Sequence, residues 1–149
     1  IMTRPCPCQS GLAYTTCCGL YHRGASAPSP EALMRARYSA YVLNETAFLK
    51  ASWHADTCPT ELTPDGDLRW CGLSITAHEH ASERGRVHFQ ATYQDAGGFA
   101  LLDEDARFVF EAGHWLYLDG TPSVSRLRPG RNDACPCGSK RKFKKCCAR

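Results

Sequence analysis

The sequence predicts an α+β fold: helices packed on the apolar face of an antiparallel sheet, flanked by two small cysteine-rich knuckles. Three observations predict it. Apolar residues recur at helical spacing through residues 30–53, then at a period of two from Leu68 onward. The two-period segments follow one another through short turns, as in a meander. Eight of the ten cysteines lie in two clusters near the ends, "CPCQSGLAYTTCC" (Cys6–Cys18) and "CPCGSKRKFKKCC" (Cys135–Cys147). The expected division is 1–27 for a first knuckle and linker, 28–125 for the α+β domain, and 126–149 for a second, basic knuckle.

Each element has a local reason. Ser29 suits a helix N-cap and Pro30 the first helical position. Leu33, Met34, Tyr38, Tyr41 and Val42 then share one helical face. A second helix is expected over "NETAFLKASWH", capped by Asn44, with Phe48, Leu49 and Trp53 on one side. "TCPTELTPDGD" reads as loop. The first strand is expected to turn Cys71, Leu73, Ile75 and Ala77 to one face, the second Val87, Phe89, Ala91 and Tyr93. "DAGG" turns the chain, a third strand is expected at Ala106–Glu111, and a fourth over "GHWLYLDG" after the turn "EAG". Two helices followed by such a meander pack on its apolar face.

A chain of 149 residues suits one domain with small appendages. Its sequence has no apolar run of the roughly 18 residues a membrane span needs, and "RPCPCQSG" interrupts any signal-peptide core. The chain therefore reads as soluble and cytoplasmic. Its net charge of +3 is unevenly placed: residues 1–27 carry +2, residues 28–125 carry −7 and residues 126–149 carry +8. That last figure bears on partners, because a dense cationic segment attracts acidic surfaces.

Cysteines spread through a fold would suggest a disulfide framework, but here only Cys58 and Cys71 lie outside the clusters. C-x-C and C-C pairs are too short for unstrained bridges. Each cluster reads C-P-C, eight residues, C-C, and four thiolates at this spacing suit a tetrahedral metal site. The expected ligands are Cys135, Cys137, Cys146 and Cys147 at one end and Cys6, Cys8, Cys17 and Cys18 at the other, with His22 competing with Cys18. Zinc is the default ion and iron the alternative, for two ions in all. Four protein ligands leave no open position, so the sites read as structural rather than catalytic. Ser10 and Ser139 sit just past the turn, where a hydroxyl can cap a short helix, and Tyr14 and Phe143 where a ring can shield the metal.

"CPCGSKRKFKKCC" resembles the SEC-C motif, best known from the C-terminal tail of the preprotein-translocation ATPase SecA. With "LMRARYSAYV", "SWH", "LYLDGT" and "GRNDACPCGS", the whole chain is similar to the YchJ family, whose members carry a SEC-C motif at each end of a domain like nuclear transport factor two. Lys140 and Gln9 stand where the motif usually has Gly, which puts the turn after each C-x-C in question. The resemblance implies a cone-shaped central domain able to enclose a small molecule. Tyr38, Tyr41, Trp53, His54, Trp70, His88, Tyr93 and Asp119 are the candidates for such a pocket, with His54 or His88 and Asp119 as a conceivable acid–base pair. No recognisable catalytic spacing is present, and the aromatics read first as core, so the expected protein is not an enzyme. The resemblance implies a metal-binding adaptor whose partner is a secretion chaperone, another acidic protein surface or the ribosome. Lys140, Arg141, Lys142, Lys144 and Lys145 would make the contact. The alternatives are an RNA-binding protein and a small-molecule binder or enzyme using the cone.

Overall fold

The computed structural model describes residues 4–61 and 68–148. A short 3-10 turn at Tyr14–Thr16 leads into α1 (Cys18–His22), followed by α2 (Pro30–Leu43) and α3 (Thr46–Ala51). Four strands come next: β1 (Arg69–His80), β2 (Arg84–Asp95), β3 (Gly98–Glu111) and β4 (His114–Arg126). They form one antiparallel sheet in the order β1-β2-β3-β4, the expected meander. The helices cover one face, and a second 3-10 turn, Phe143–Lys145, lies in the tail. The loop expected over 57–67 is described only to Glu61; the remainder lies outside the described residues.

The Ser29 hydroxyl accepts the Ala32 amide at 3.1 Å, and Pro30 opens α2, so the predicted cap forms. Asn44 acts differently from expectation. It sits at φ 61° and terminates α2, with the following amide of Glu45 reaching back to the Ala40 carbonyl at 2.8 Å. Asn tolerates the left-handed conformation that ends a helix, and this use displaces its use as a start signal.

Two β-bulges interrupt β1, between Trp70 and Gly72 and between Ile75 and Ala77. Each inserts an unpaired residue and changes which parity faces inward. Cys71 is thus the bulged residue, and Trp70, opposite Tyr93, takes the inward place. Leu73 and Ile75 stay inward, opposite Ala91 and Phe89. Ala77 pairs with the outward His88 and is exposed, contrary to the uninterrupted alternation expected. β3 also begins eight residues earlier than expected, pairing with β2 from Gly98. The acidic run "DEDA" masked it: Asp103 and Asp105 point outward, while Glu104 holds an inward place opposite Phe89. β4 likewise extends past Gly120 to Arg126.

The core joins Leu33, Met34, Ala36 and Tyr38 of α2 to Leu73, Val87, Phe89, Ala91, Ala106, Phe108 and Trp115 of the sheet. Cys6, Cys8 and Cys18 belong to the same cluster. The N-terminus of α2 rests on β2 at Gly85, where any Cβ would overlap the Pro30 ring. The outer face carries cross-strand ion pairs, Arg86 with Asp105, Arg107 with Asp119 and His88 with Asp103. Such exposed pairs contribute little each. We expect Gly85→Ala to lower the unfolding free energy by about 1–3 kcal/mol, the usual cost of overpacking. Urea denaturation would measure it; unchanged stability would show that α2 can shift away from β2.

Candidate metal centres

The two knuckles share one backbone design. In each, the residue before the first cysteine bridges the far side of the spacer: Pro5 with Ala13, and Ala134 with Lys142. The first cysteine's amide then bonds across the loop, Cys6 N–H to Leu12 O at 2.9 Å and Cys135 N–H to Arg141 O at 2.8 Å. A serine hydroxyl braces each loop. Ser10 Oγ accepts the Leu12 amide and lies 3.2 Å from Cys17 Sγ. Ser139 Oγ accepts the Arg141 amide and donates to Cys146 Sγ at 3.3 Å. The aromatic residue at the same place in each spacer, Tyr14 or Phe143, opens the 3-10 turn that delivers the last two cysteines.

Adjacent residues inside a regular helix diverge by about 100°, which would keep Cys17 and Cys18 from one ion. The chain avoids this by breaking between them. Cys17 sits at φ −124° and ψ −115°, outside any helix, and Cys18 is the first residue of α1. Cys146 repeats the break at φ −131° and ψ −107°. The four sulfurs of each set all lie within 4.8 Å of one another. Within them, Cys8–Cys17, Cys137–Cys146 and Cys146–Cys147 are 3.6, 3.5 and 3.9 Å apart. A tetrahedron with Zn–S bonds near 2.3 Å has edges of about 3.8 Å, so each cluster fits such an ion. All ten cysteines are free thiols.

The clusters share protons unequally. Hydrogen bonding from Cys18, aided by Ser10, Cys6 and Cys17, brings the Cys8 thiol down to about 4. The proton-holding Cys18 is pushed up by the same bond and by burial. In the tail Ser139 brings Cys137 down to about 6, and hydrogen bonding toward Cys135 pushes Cys147 up to about 12. Arg141 Nη2 also donates to Cys146 Sγ at 3.6 Å, which favours the thiolate. An ion arriving at either cluster would replace these shared protons.

His22 lies elsewhere. Its Nε2–H donates to the Ala36 carbonyl of α2 at 2.8 Å, and its Nδ1 accepts the Tyr14 hydroxyl at 2.6 Å. Its ring packs on Phe48 with centroids 4.7 Å apart. The histidine therefore fastens the first knuckle to α2 and α3, while Cys18 completes the sulfur cluster.

The non-glycine residues of the turns leave them intact. Gln9 and Gly138 occupy one left-handed position, at φ 66° and 89°, and Gly11 and Lys140 another, at φ 87° and 69°. Gln9 gains a compensating contact, since its Oε1 accepts the Leu73 amide of β1 at 3.2 Å. Lys140 is exposed.

The knuckles differ in how they meet the body. The first is built into it: Cys8 and Cys18 have no exposed surface, Cys6 Sγ lies 3.5 Å from Ser39 Oγ, and Arg35 Nη1 donates to Cys8 O at 3.1 Å. In the second, Cys135 is buried but Cys147 is exposed. Its last hydrogen bond to the sheet, among the described residues, is Leu127 N–H to Phe99 O at 3.0 Å. Beyond that it lies against the bulge of β1, where Gly138 nears the Cys71 carbonyl and Cys135 and Cys137 come close enough to add to burial in pushing the Cys71 thiol up. Lys140, Arg141, Lys142 and Lys145 are exposed, and Lys144 is half-buried.

A cavity of about 290 Å³ lies between α2 and the sheet. Tyr38, Tyr41, Trp53 and Trp70 line it, and Tyr93 packs behind Trp70 at 5.3 Å. The acid–base pair considered with Asp119 does not form. His54 bonds Glu111 at 2.9 Å, His88 bonds Asp103 at 2.7 Å on the outer face, and Asp119 accepts Arg107 Nε at 2.6 Å. Strand alternation turns His88 and Asp119 to the outer face, and His54, in the segment after α3, meets Glu111 at the end of β3; none of the three lines the cavity. The polar lining residues that escaped sequence reasoning are Arg37, Glu104 and Tyr117, alongside the apolar Met34, Phe89, Ala91 and Leu102. The available signal was a charged residue at 37, within the apolar stripe 33, 34, 38 and 41.

Unequal embedding predicts unequal consequences. Cys8→Ser should remove one bound ion and lower Tm by roughly 10 °C or more. Cys137→Ser should also remove one ion but change Tm by no more than about 2 °C. Metal analysis and thermal denaturation of both variants check this; equal Tm losses would show that the second knuckle is just as integral. Lys140→Gly should stabilise the metal-loaded second knuckle by about 0.5–1 kcal/mol by relieving its left-handed φ. Competition with a graded chelator would measure it.

The geometry has counterparts in known proteins. Residues 29–120 match the model for "YchJ, middle NTF2-like domain", and residues 2–20 and 131–149 match the SEC-C motif. A UPF0225 protein of Cupriavidus metallidurans is 48% identical over 124 residues, spanning 78% of this chain and 87% of that one. The crystal structure of a SEC-C motif containing protein from Psychrobacter arcticus is similar at TM-score 0.64 and 28% identity, covering 99% of this chain and 96% of that one. The solution structure of a SEC-C motif containing protein from Rhodopseudomonas palustris matches at TM-score 0.70 and 28% identity, covering 83% and 98%. With two four-cysteine clusters bracketing one α+β cone, the chain belongs to the YchJ-like family of SEC-C motif proteins.

Proposed function

We propose that the protein is a zinc-binding adaptor of the bacterial cytoplasm, whose second knuckle presents a metal-shaped basic surface to an acidic protein partner. One observation carries the reading. The same knuckle is used twice, once sealed into the core and once set outward with Lys140, Arg141, Lys142 and Lys145 exposed. Metal binding alone does not require those charges. The first knuckle keeps the whole frame with Gly11, Leu12, Ala13, Thr15 and Thr16 where the second has Lys140, Arg141, Lys142, Lys144 and Lys145. Arg141 serves the thiolates of its own site; the four lysines have no such use. Four soft sulfurs in a tetrahedron favour zinc, with iron the competing ion.

A secretion chaperone or an acidic ribosomal protein has the surface chemistry this tail would meet. An RNA partner would be recognised through phosphates, and base stacking would rest on Phe143 alone, the one aromatic ring of the tail motif. We expect the triple variant Lys142→Ala, Lys144→Ala, Lys145→Ala to retain both ions yet lose most capture of its partner from a bacterial lysate at low salt. The difference from the intact protein should narrow as salt rises, because exposed charges are then screened. Capture abolished by ribonuclease would reassign the tail to RNA. Capture unaffected by the triple substitution would falsify the adaptor reading.

A further inference from the structure

The cavity between α2 and the sheet carries a charge that the described residues do not neutralise by contact. Arg37 is 3% exposed. Its Nη1 donates to two neutral groups, Leu49 O at 3.0 Å and Ser52 Oγ at 2.7 Å. Its guanidinium lies between two rings, 5.0 Å from the Trp53 centroid and 4.6 Å from that of Tyr117. Among the described residues no carboxylate lies within ion-pairing distance of it. A buried cation without a contacting anion is costly, and ring faces offset only part of that cost. Trp53 adds a second unmet donor, since its indole Nε1–H is buried without a hydrogen-bond partner. Both residues line the same cavity.

The remaining wall is flat and apolar. Trp70 sits edge-on to Tyr38 at 6.0 Å and packs on Tyr41 at 6.1 Å, with Phe89 and Leu102 beneath. The cavity's carboxylate, Glu104, is already engaged by the Tyr117 hydroxyl at 2.8 Å. Burial pushes the Glu104 carboxyl up from its ordinary value, while the Tyr117 hydroxyl and the charge of Arg37 pull it the other way. Gly120 makes room for that carboxylate, because any Cβ there would overlap it. The volume of about 290 Å³ lies at the small end of ligand clefts, near ~300 Å³.

We propose that this cavity binds a small aromatic monocarboxylate, with its carboxylate against Arg37 and the Trp53 indole N–H and its ring among Tyr38, Tyr41 and Trp70. The anion would give Arg37 its missing contact, and the ring would stack with its neighbours at the usual offset geometry. This inference is independent of the adaptor reading, since the cavity and the basic knuckle share no residue.

Titration of the metal-loaded protein with benzoate, phenylacetate and the neutral isostere benzamide, followed by NMR of the tryptophan indole N–H signals, tests it. The carboxylates should shift the Trp53 signal, leave that of Trp115 in place, and bind at least tenfold more tightly than benzamide. Trp53→Phe keeps a ring but removes the donor, and should weaken the best carboxylate about tenfold, the usual worth of a hydrogen bond to a charged group. Equal binding of acid and amide, an unchanged dissociation constant in Trp53→Phe, or no Trp53 shift at millimolar carboxylate would each overturn the assignment.

Discussion

The burial of the first sulfur cluster is the constraint on which the rest of the molecule depends. Cys6, Cys8 and Cys18 are not hung from the domain; they are part of the surface against which α2 packs. A segment of fewer than thirty residues cannot form an apolar core of its own. Here it has two supports, coordination chemistry within and the flank of α2 without. His22 and Arg35 secure that junction through backbone carbonyls, Ala36 O and Cys8 O, so the contact is oriented as well as apolar. Because α2 in turn rests on Gly85 and roofs the cavity, the position of the cone's roof is tied to the order of the first knuckle.

Much of this was legible in the sequence, and the failures have physical causes. The duplicated C-P-C and C-C frames pointed to two sulfur clusters because metal coordination demands particular residue types at short range. The helix cap at Ser29 and the meander were legible for the same reason, each being a local rule. The bulges in β1 were not. They move Cys71 out of register and Ala77 to the outer face, and nothing within the strand announces an inserted residue. The start of β3 was hidden because Glu104 breaks the apolar alternation, and an inward carboxylate makes sense only once the cavity is known. Arg37 posed the same difficulty from the helix side. Where the pattern failed in β3 and α2, the offending residue was polar and faced the cone.

Duplicated motifs invite the assumption of duplicated roles. Here the backbone hydrogen bonds, the left-handed positions and the break before the final cysteine repeat closely, while the surroundings do not. The first copy exchanges side-chain charge for small and apolar groups and is absorbed by the body. The second keeps charge and stays at the periphery. At a constant cysteine frame, spacer composition differs between the embedded copy and the peripheral one.

The amide of Leu73 acquires a further meaning from its place in the sheet. β1 is an outer strand, and the unpaired N–H groups of such a strand are a template for another chain to add to. Gln9, held by the turn of the first knuckle, occupies one of them. On the opposite margin the segment at Trp53 pairs with β4, where the Tyr117 N–H meets Ser52 O and the His54 N–H meets Tyr117 O. Both borders of the sheet are therefore guarded, one by a segment whose shape depends on sulfur chemistry. Stripping or oxidising that cluster would do more than loosen a fold. It would also free the Leu73 amide on an outer strand, leaving that position open to pairing with another chain.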